Sequence, residues 1–244
     1  MKLLQLNVWG ARLEKQIADL LKTELPDIAC LQEAVDIPGD STGGFFLPIR
    51  EMATIMQSKN QFISPVVSYS FMNRTASFGN AILSKYTFTE TQTIFTNAQF
   101  MEGFDFENDD YNIRNLQHAK LEIGGKALHI LNHHGHHVPN HKNGNEDTLR
   151  QMKQIGEYID KLEGAIILTG DFNLAPHSES LELLNDRLAN LSISYDLTTT
   201  RTNLTHKTEV CDYIFVNDTV QVKNFHASDE IVSDHKALVL EFEV

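Results

Sequence analysis

The chain predicts an α/β sandwich built on mixed sheets. Three observations carry that expectation. Short apolar runs of strand length recur from one end of the sequence to the other. Several are paired across tight-turn residues, as around Gly124-Gly125, which makes them antiparallel neighbours. Only a few helical periods intervene, too few to cover both faces of a fully parallel sheet.

Residues 2–8 read as a first strand, after which Leu13, Ile17, Leu20, Leu21 and Leu25 recur at helical spacing until Pro26 stops them. Residues 28–32 form an apolar second strand. The stretch 36–44 is rich in Gly, Pro, Asp and Ser and reads as a loop, and 48–56 as a helix. Strands follow at 62–71, 79–83 and 88–95. Residues 97–115 form an acidic segment carrying Phe100, Phe104, Phe106 and Tyr111, the composition of a surface loop that is either a substrate lid or simply packed. A hairpin joins 117–123 to 126–131. Ile155, Ile159 and Leu162 mark a helix over 148–162, which leads into a strand at 165–168. A short helix at 180–188 and strands at 212–216, 220–225 and 237–242 complete the chain.

With 244 residues, 41% of them hydrophobic, the chain can bury one sizeable core, and residues 1–244 are expected to form a single catalytic domain. Cys30 and Cys211 sit inside apolar runs and read as buried free thiols. No run approaches the roughly 18 apolar residues of a membrane helix, and the N-terminus lacks a secretory apolar core. The expected chain is therefore soluble and cytoplasmic, and secretion would require a leader already removed. Thirty-three acids against twenty Lys and Arg give a formal charge of −13. That balance argues against a processive or architectural duplex binder, whose affinity comes from Lys and Arg. A nuclease stays open, because acidic metal clusters inflate the negative count. No protein partner can be inferred.

The sequence speaks most clearly where strands end. Gly170-Asp171-Phe172-Asn173 follows the apolar run Ala165-Ile166-Ile167-Leu168 and delivers a carboxylate and an amide to a strand mouth, as a hard cation requires. Asn7, Glu33 and Asp234-His235 occupy the same kind of position beside other apolar runs. Four segments that each end in an oxygen or imidazole ligand point to one shared site.

Six segments carry a resemblance. Leu6-Asn7-Val8-Trp9, Leu31-Gln32-Glu33, Gly79-Asn80-Ala81-Ile82-Leu83-Ser84-Lys85, Leu168-Thr169-Gly170-Asp171-Phe172-Asn173, Cys211-Asp212-Tyr213-Ile214-Phe215 and Ser233-Asp234-His235 occur in the order of the endonuclease/exonuclease/phosphatase superfamily, the DNase I-like phosphodiesterases. The resemblance spans nearly the whole chain. It implies a four-layer α/β/β/α sandwich of two mixed, mainly antiparallel sheets. It also implies hydrolysis of a phosphodiester, in nucleic acid or a small phosphoester, with Mg²⁺ as cofactor and Mn²⁺ as a substitute. In these terms Glu33 resembles the principal metal ligand, with Asn7 and Asp234 lining the same cation site. Asp171 and Asn173 resemble the pair that positions the attacking water or a second metal. His235 resembles the catalytic imidazole and Asp212 its carboxylate partner. The chemistry asks for the same groups: an in-line water, a charge sink for the pentavalent oxygens and stabilisation of the leaving oxygen. Whether Asp171 or His235 takes the proton stays open.

A further imidazole is expected in the loop Asn132-His133-His134-Gly135-His136-His137-Val138-Pro139-Asn140-His141, which holds five histidines. Matching Asn132-x-His134 to the family's Asn-Thr-His pattern selects His134, and matching His137-Val138-Pro139-Asn140 to the Tyr-Val-Pro-Asn loop of abasic-site endonucleases selects His137. His134 is preferred as closer to the strand end. Asn80 suits either the active-site edge or an ordinary turn, and Arg150 either a phosphate contact or, as favoured here, a structural role on the helix. Two other functions compete. A phospholipid or inositol-phosphate phosphoesterase is disfavoured by Tyr213-Ile214 after Cys211-Asp212 and by the lack of an obvious exposed apolar hairpin. A non-catalytic binding module is disfavoured because Glu33, Asp171, Asn173 and His235 are all present.

Overall fold

The computed structural model describes residues 1–39 and 44–244, so the middle of the loop expected at 36–44 lies outside the described residues. Two six-stranded sheets stack face to face. In chain order the first contributes β1 (Lys2–Asn7), β2 (Ile28–Asp36), β3 (Asn60–Phe71) and β4 (Arg74–Ser84), with β11 (Gln221–Ala227) and β12 (Leu238–Glu243) added at the end of the chain. The second contains β5 (Phe88–Asn97), β6 (Arg114–Ile123), β7 (Lys126–His134), β8 (Ala165–Asp171), β9 (Ala189–Asn190) and β10 (Asp212–Val216). The spatial orders are β11-β12-β1-β2-β4-β3 and β5-β6-β7-β8-β10-β9. Each sheet holds one parallel pair, β1 with β2 and β7 with β8, among antiparallel neighbours.

A parallel pair needs a crossover, and a helix supplies each one: α1 (Glu14–Glu24) between β1 and β2, and α3 (Glu146–Ile159) between β7 and β8. Ile17, Leu20 and Leu21 of α1 pack with Met52 and Ala53 of α2 (Ile49–Ile55) on the outer face of the first sheet. Met152 and Ile155 of α3 pack with Leu181 and Leu184 of α4 (Glu179–Asn185) on the outer face of the second. Between the sheets lies a third apolar layer that includes Leu3, Ile28, Cys30, Ile130, Ile167 and Ile214. The result is a four-layer α/β/β/α sandwich. Cys30 and Cys211 are buried and free, and no helix is long and apolar enough to cross a membrane.

The departures from the sequence reading have local causes. β7 continues three residues past the expected end at 131, through His133 and His134, because both remain paired, with Leu116 and Asp171 respectively. β6 begins at Arg114, inside the segment expected to be a loop, and β4 begins at Arg74 rather than 79 because it forms a long hairpin with β3. Glycine at 79 marks a close approach within that hairpin, since a Cβ there would lie 2.5 Å from the Ser64 carbonyl oxygen. α3 starts at Glu146, fixed by a capping box in which Asn145 Oδ1 accepts from Thr148 N–H and Thr148 Oγ1 from Asn145 N–H. Short pieces without a periodic signal, the turn Trp9–Ala11, β9 and α5 (Leu191–Ser194), were not expected.

Candidate active site

The carboxyl ends of both parallel pairs open at one rim, so β1 delivers Asn7, β2 Glu33, β7 His134 and β8 Asp171 to one place. Strand alternation explains most of this. Leu3, Gln5 and Asn7 share one face of β1, Ile130, Asn132 and His134 one face of β7, and Ile167, Thr169 and Asp171 one face of β8. Along each strand the inter-sheet face passes from apolar to amide or hydroxyl to ligand. Glu33 would fall on the wrong face by this count. A bulge between Leu31 and Ala34, with Glu33 at φ +55°, turns it inward.

Beneath the rim the middle row forms a chain of buried amides across the two sheets. Gln5 Nε2 donates to Gln32 Oε1 (2.9 Å), Gln32 Nε2 to Asn132 Oδ1 (2.6 Å) and Asn132 Nδ2 to Gln117 Oε1 (2.9 Å). A chain whose members are paired rigidifies what stands on it. Gln5 Nε2 also reaches Asp212 Oδ1 at 3.2 Å.

Asn7 Nδ2 donates to Glu33 Oε1 (3.0 Å) and Asp171 Oδ2 (3.1 Å), while its Oδ1 accepts from Trp9 N–H. Asn7 thus orients the two carboxylates. The oxygen by which the sequence reading made it a cation ligand accepts one N–H, from Trp9, and keeps a second lone pair. His134 Nε2 stands 3.9 Å from Glu33 Oε1 and 3.8 Å from Asp171 Oδ2. Burial, and next Arg114, hold His134 well below its ordinary pKa, so its imidazole is neutral. Burial pushes the Glu33 carboxyl up, Asn7 opposing, with Asp171 and Asp234 adding like charge. For Asp171 burial works upward too, but His235, His134, Arg201 and Lys142 outweigh it and hold it below the usual carboxylate range.

The other half of the site is a dyad. Asp212 Oδ2 accepts from His235 Nδ1 at 2.8 Å and from Thr200 Oγ1 at 2.7 Å. His235 Nε2 faces Asp171 Oδ2 at 3.6 Å and touches Arg201 Nη1. Burial opposes the charged imidazole, but Asp212 and Asp171 raise its pKa well above the ordinary value. Asp234 Oδ2 lies 3.4 Å from Arg201 Nη1. Asn173, at φ +56°, donates its backbone N–H to Asp171 Oδ1 (3.0 Å), and its Oδ1 accepts from Lys142 Nζ at 2.5 Å.

Trp9, Glu33, Arg114, His134, His137, Asp171, Asn173, Arg201, Asp234 and His235 border one cavity of about 590 Å³, together with Phe106 and Tyr111. The aromatic segment therefore forms a wall of the site, braced by edge contacts of Phe104 and Tyr69 on Phe106. Two proposed contacts fall elsewhere. Asn80 is buried against Asn115, donating to its Oδ1 at 2.9 Å. Arg150 is tied on α3 through Nη2 to Asp147 Oδ1 (2.8 Å) and to Asn97 Oδ1 (2.8 Å) and does not border the cavity. Sequence reasoning missed Arg201, Lys142 and Arg114. Each is an isolated cation in a segment without a motif, and only the fold brings it in.

Asp171, Cys211, Asp212 and His235 also place ligand-type atoms within 4.8 Å of one another. Asp212 and His235 already satisfy each other there, and burial pushes the Cys211 thiol up to about 11, far from the thiolate a metal binds. Glu33 and Asp171, two hard carboxylates bordering a cavity with room for retained waters, could hold a divalent cation.

The Endonuclease/Exonuclease/phosphatase family pattern matches residues 4–235. No curated protein sequence matches the chain. Among solved structures, an endonuclease/exonuclease/phosphatase from Beutenbergia cavernae superposes with a TM-score of 0.75 at 16% identity, covering 100% of this chain and 71% of its own. A mannosyl-6-phosphatase from Bacteroides thetaiotaomicron gives 0.68 at 15%, covering 100% of both. D. rerio TDP2, complexed with a single-strand DNA product, gives 0.68 at 16%, covering 100% of this chain and 99% of its own. At these identities the likeness is one of fold.

Proposed function

The chain belongs to the endonuclease/exonuclease/phosphatase family, whose members hydrolyse phosphoesters, and from that membership we propose that residues 1–244 form one divalent-metal-dependent phosphodiesterase unit acting on nucleic acid or a small phosphodiester. The observation that carries the reading is the facing of two halves of the site: a carboxylate pair, Glu33 and Asp171, on one side, and a histidine–carboxylate dyad, His235 and Asp212, backed by the Arg201 guanidinium, on the other.

Glu33 and Asp171, with Asp234 at the edge, would hold Mg²⁺ or Mn²⁺, which supplies a charge sink for the phosphoryl oxygens. Asn7 orients both carboxylates. Asp171, ionised and fixed by the Asn173 backbone N–H, accepts a hydrogen bond from the attacking water and aligns it. Asp212 holds Nδ1–H of His235, whose Nε2 meets Arg201 Nη1, and the Arg201 guanidinium sets positive charge against the phosphoryl group as negative charge builds. Neutral His134 donates one N–H to the same group. His137 lines the cavity further out, its backbone N–H tied to Asn112.

The reading is tested on bis-p-nitrophenyl phosphate with Mg²⁺ or Mn²⁺ against EDTA. Hydrolysis that needs the metal and is lost in Glu33→Ala is expected, with His134→Ala losing about 10² or more in kcat and His137→Ala far less. Metal-independent turnover, or full activity in Glu33→Ala, would overturn it.

One observation favours a second reading, a phospholipid-type phosphoesterase. Met72, 56% exposed, tips the β3–β4 hairpin, and Phe45, 57% exposed, sits beside Phe71 with ring centroids 5.9 Å apart. The sequence reading found no apolar hairpin because a single Met and a distant Phe make no run. Sphingomyelin belongs in the substrate panel beside DNA, RNA, cyclic dinucleotides and inositol phosphates.

A further inference from the structure

Arg114 is 6% exposed, yet among the described residues its side chain makes no hydrogen bond and no ion pair: its Nε is buried without a partner, and its two terminal nitrogens are not enclosed in the same way. The other buried guanidinium in the cavity, Arg201, is paired with Asp234. A buried charge without a partner is costly, and proteins keep one only where something else completes it. Burial depresses the Arg114 pKa, and Glu33, Asp171 and Asp110, all beyond ion-pairing reach, offset that only in part. The side chain lines the cavity, so its missing partner is one the cavity admits. A planar guanidinium matches two oxygens of one phosphoryl group.

Its position says which phosphoryl group. His134, Asp171 and Asp212 stand in register on β7, β8 and β10, and Arg114 begins β6 one residue beyond Asn115, which the β6–β7 register sets opposite His134. Neighbouring strands are about 4.8 Å apart, so the backbones of Arg114 and Asp171 are separated by about 10 Å. His235 and Arg201 serve the reacting phosphoryl group from the opposite side of Asp171, and uncharged His134 stands between that group and Arg114. Phe106 and Tyr111, at 6.0 Å between ring centroids, line the cavity as well and offer an apolar face for whatever joins two phosphoryl groups.

Resting on the phosphoesterase reading above, we propose that Arg114 binds a second, non-reacting phosphoryl group of the substrate. The site is thereby selective for substrates that carry a phosphate beside the scissile ester. The carrier is a nucleoside or a sugar, and the phosphoryl chemistry is shared.

The test is equilibrium binding by calorimetry to the full chain in EDTA, where no turnover intervenes. Thymidine 3′,5′-bisphosphate is compared with thymidine 3′-monophosphate, and glucose 1,6-bisphosphate with glucose 6-phosphate. With one carrier at least, wild type is expected to prefer the bisphosphate by about ten-fold or more. Arg114→Gln should bring that ratio to about one, and Arg114→Lys should retain part of it as a point charge without the fork. If a thermal melt shows Arg114→Gln unfolded, Arg114→Met, which keeps the apolar stem, is read in its place. A wild-type ratio near one for both carriers, or an undiminished ratio in the uncharged variant, overturns the proposal. Failure to hydrolyse any diester bears on the proposed function alone, since this measurement needs no chemistry.

Discussion

His235 is fully enclosed by charge: Asp212 on Nδ1, and Asp171, Asp234 and Arg201 around Nε2. Its role depends on Asp212, which alone meets its Nδ1 and is itself pinned by Thr200 Oγ1 and Gln5 Nε2. Asp212→Asn keeps the shape but lets the amide offer N–H where Nδ1–H must be accepted, so the imidazole loses its tautomer. The expected outcome is a loss of about 10²–10⁴ in kcat on bis-p-nitrophenyl phosphate with little change in KM. A kcat within a few-fold of wild type would show that His235 needs no carboxylate. The Asp212–His235 pairing was readable in the sequence, because an acid inside an apolar strand demands a partner. Arg201 was not. It reaches the dyad through an isolated bridge to His235 at the end of a long connection, and nothing in its neighbours announces that.

At the scale of elements, the site was legible wherever alternation alone decides it. Asn7, His134 and Asp171 end strands whose inner faces run from apolar to polar, and a period of two places all three on the rim. Glu33 breaks that count through a bulge, which leaves no mark in Leu31-Gln32-Glu33-Ala34. Gly170 does leave a mark. It sits at φ +151°, and a Cβ there would stand 1.9 Å from the His133 carbonyl oxygen across the β7–β8 pair. Gly170→Ala must push β8 away from β7 directly below Asp171. A loss of about 3 kcal/mol or more is expected, seen as a melting temperature lower by about 6–12 °C. An unchanged melting temperature would mean the pair yields without cost. On the outer face of the same sheet, His129 Nε2 meets only the Glu163 carbonyl (3.1 Å) and so donates, its Nδ1 accepts from His118 Nε2 (2.8 Å), and His118 Nδ1 meets the Tyr158 hydroxyl (2.7 Å). Charging His129 would set its Nδ1–H against His118 Nε2–H, and charging His118 would put a full charge on a largely buried ring beside His129 and Lys120. Burial, then His129 and Lys120, push His118 down to about 4. Because the folded pKa lies below the unfolded 6.5, the unfolded chain takes the proton first, and stability present above pH 6.5 drains as pH falls toward about 4. Melting temperatures at pH 7 and pH 5 should therefore differ in wild type and differ less in His118→Gln.

At the scale of the whole molecule, the charge of −13 is distributed unevenly. Arg12, Arg114, Arg201 and Lys207 border the cavity, while the carboxylates at its floor are Glu33, Asp171 and Asp234. The surface thus repels a long polyphosphate, and the cavity still holds cations for a short one. The floor is nevertheless a concentration of like charge brought together by two sheets whose inner layer is apolar, so the fold carries repulsion at the rim that a divalent cation would relieve. A cation bound there as proposed would stabilise the sandwich as well as take part in chemistry. A ligand that binds the folded chain alone adds RT ln(1 + [L]/Kd), about 2.7 kcal/mol at one hundred times Kd, or about 5–10 °C in melting temperature for a chain of this length. Mg²⁺ added to EDTA-stripped protein should raise the melting temperature by that order, and Ca²⁺ or Mn²⁺ can be ranked in the same way. Glu33→Gln keeps the hydrogen-bonding shape toward Asn7 but removes one carboxylate, so it should lose most of the rise while folding at least as well without metal. If Glu33→Gln retains the full rise, the cation is held by the group of Asp171, Asp212 and His235 and not by the rim of β2 and β8.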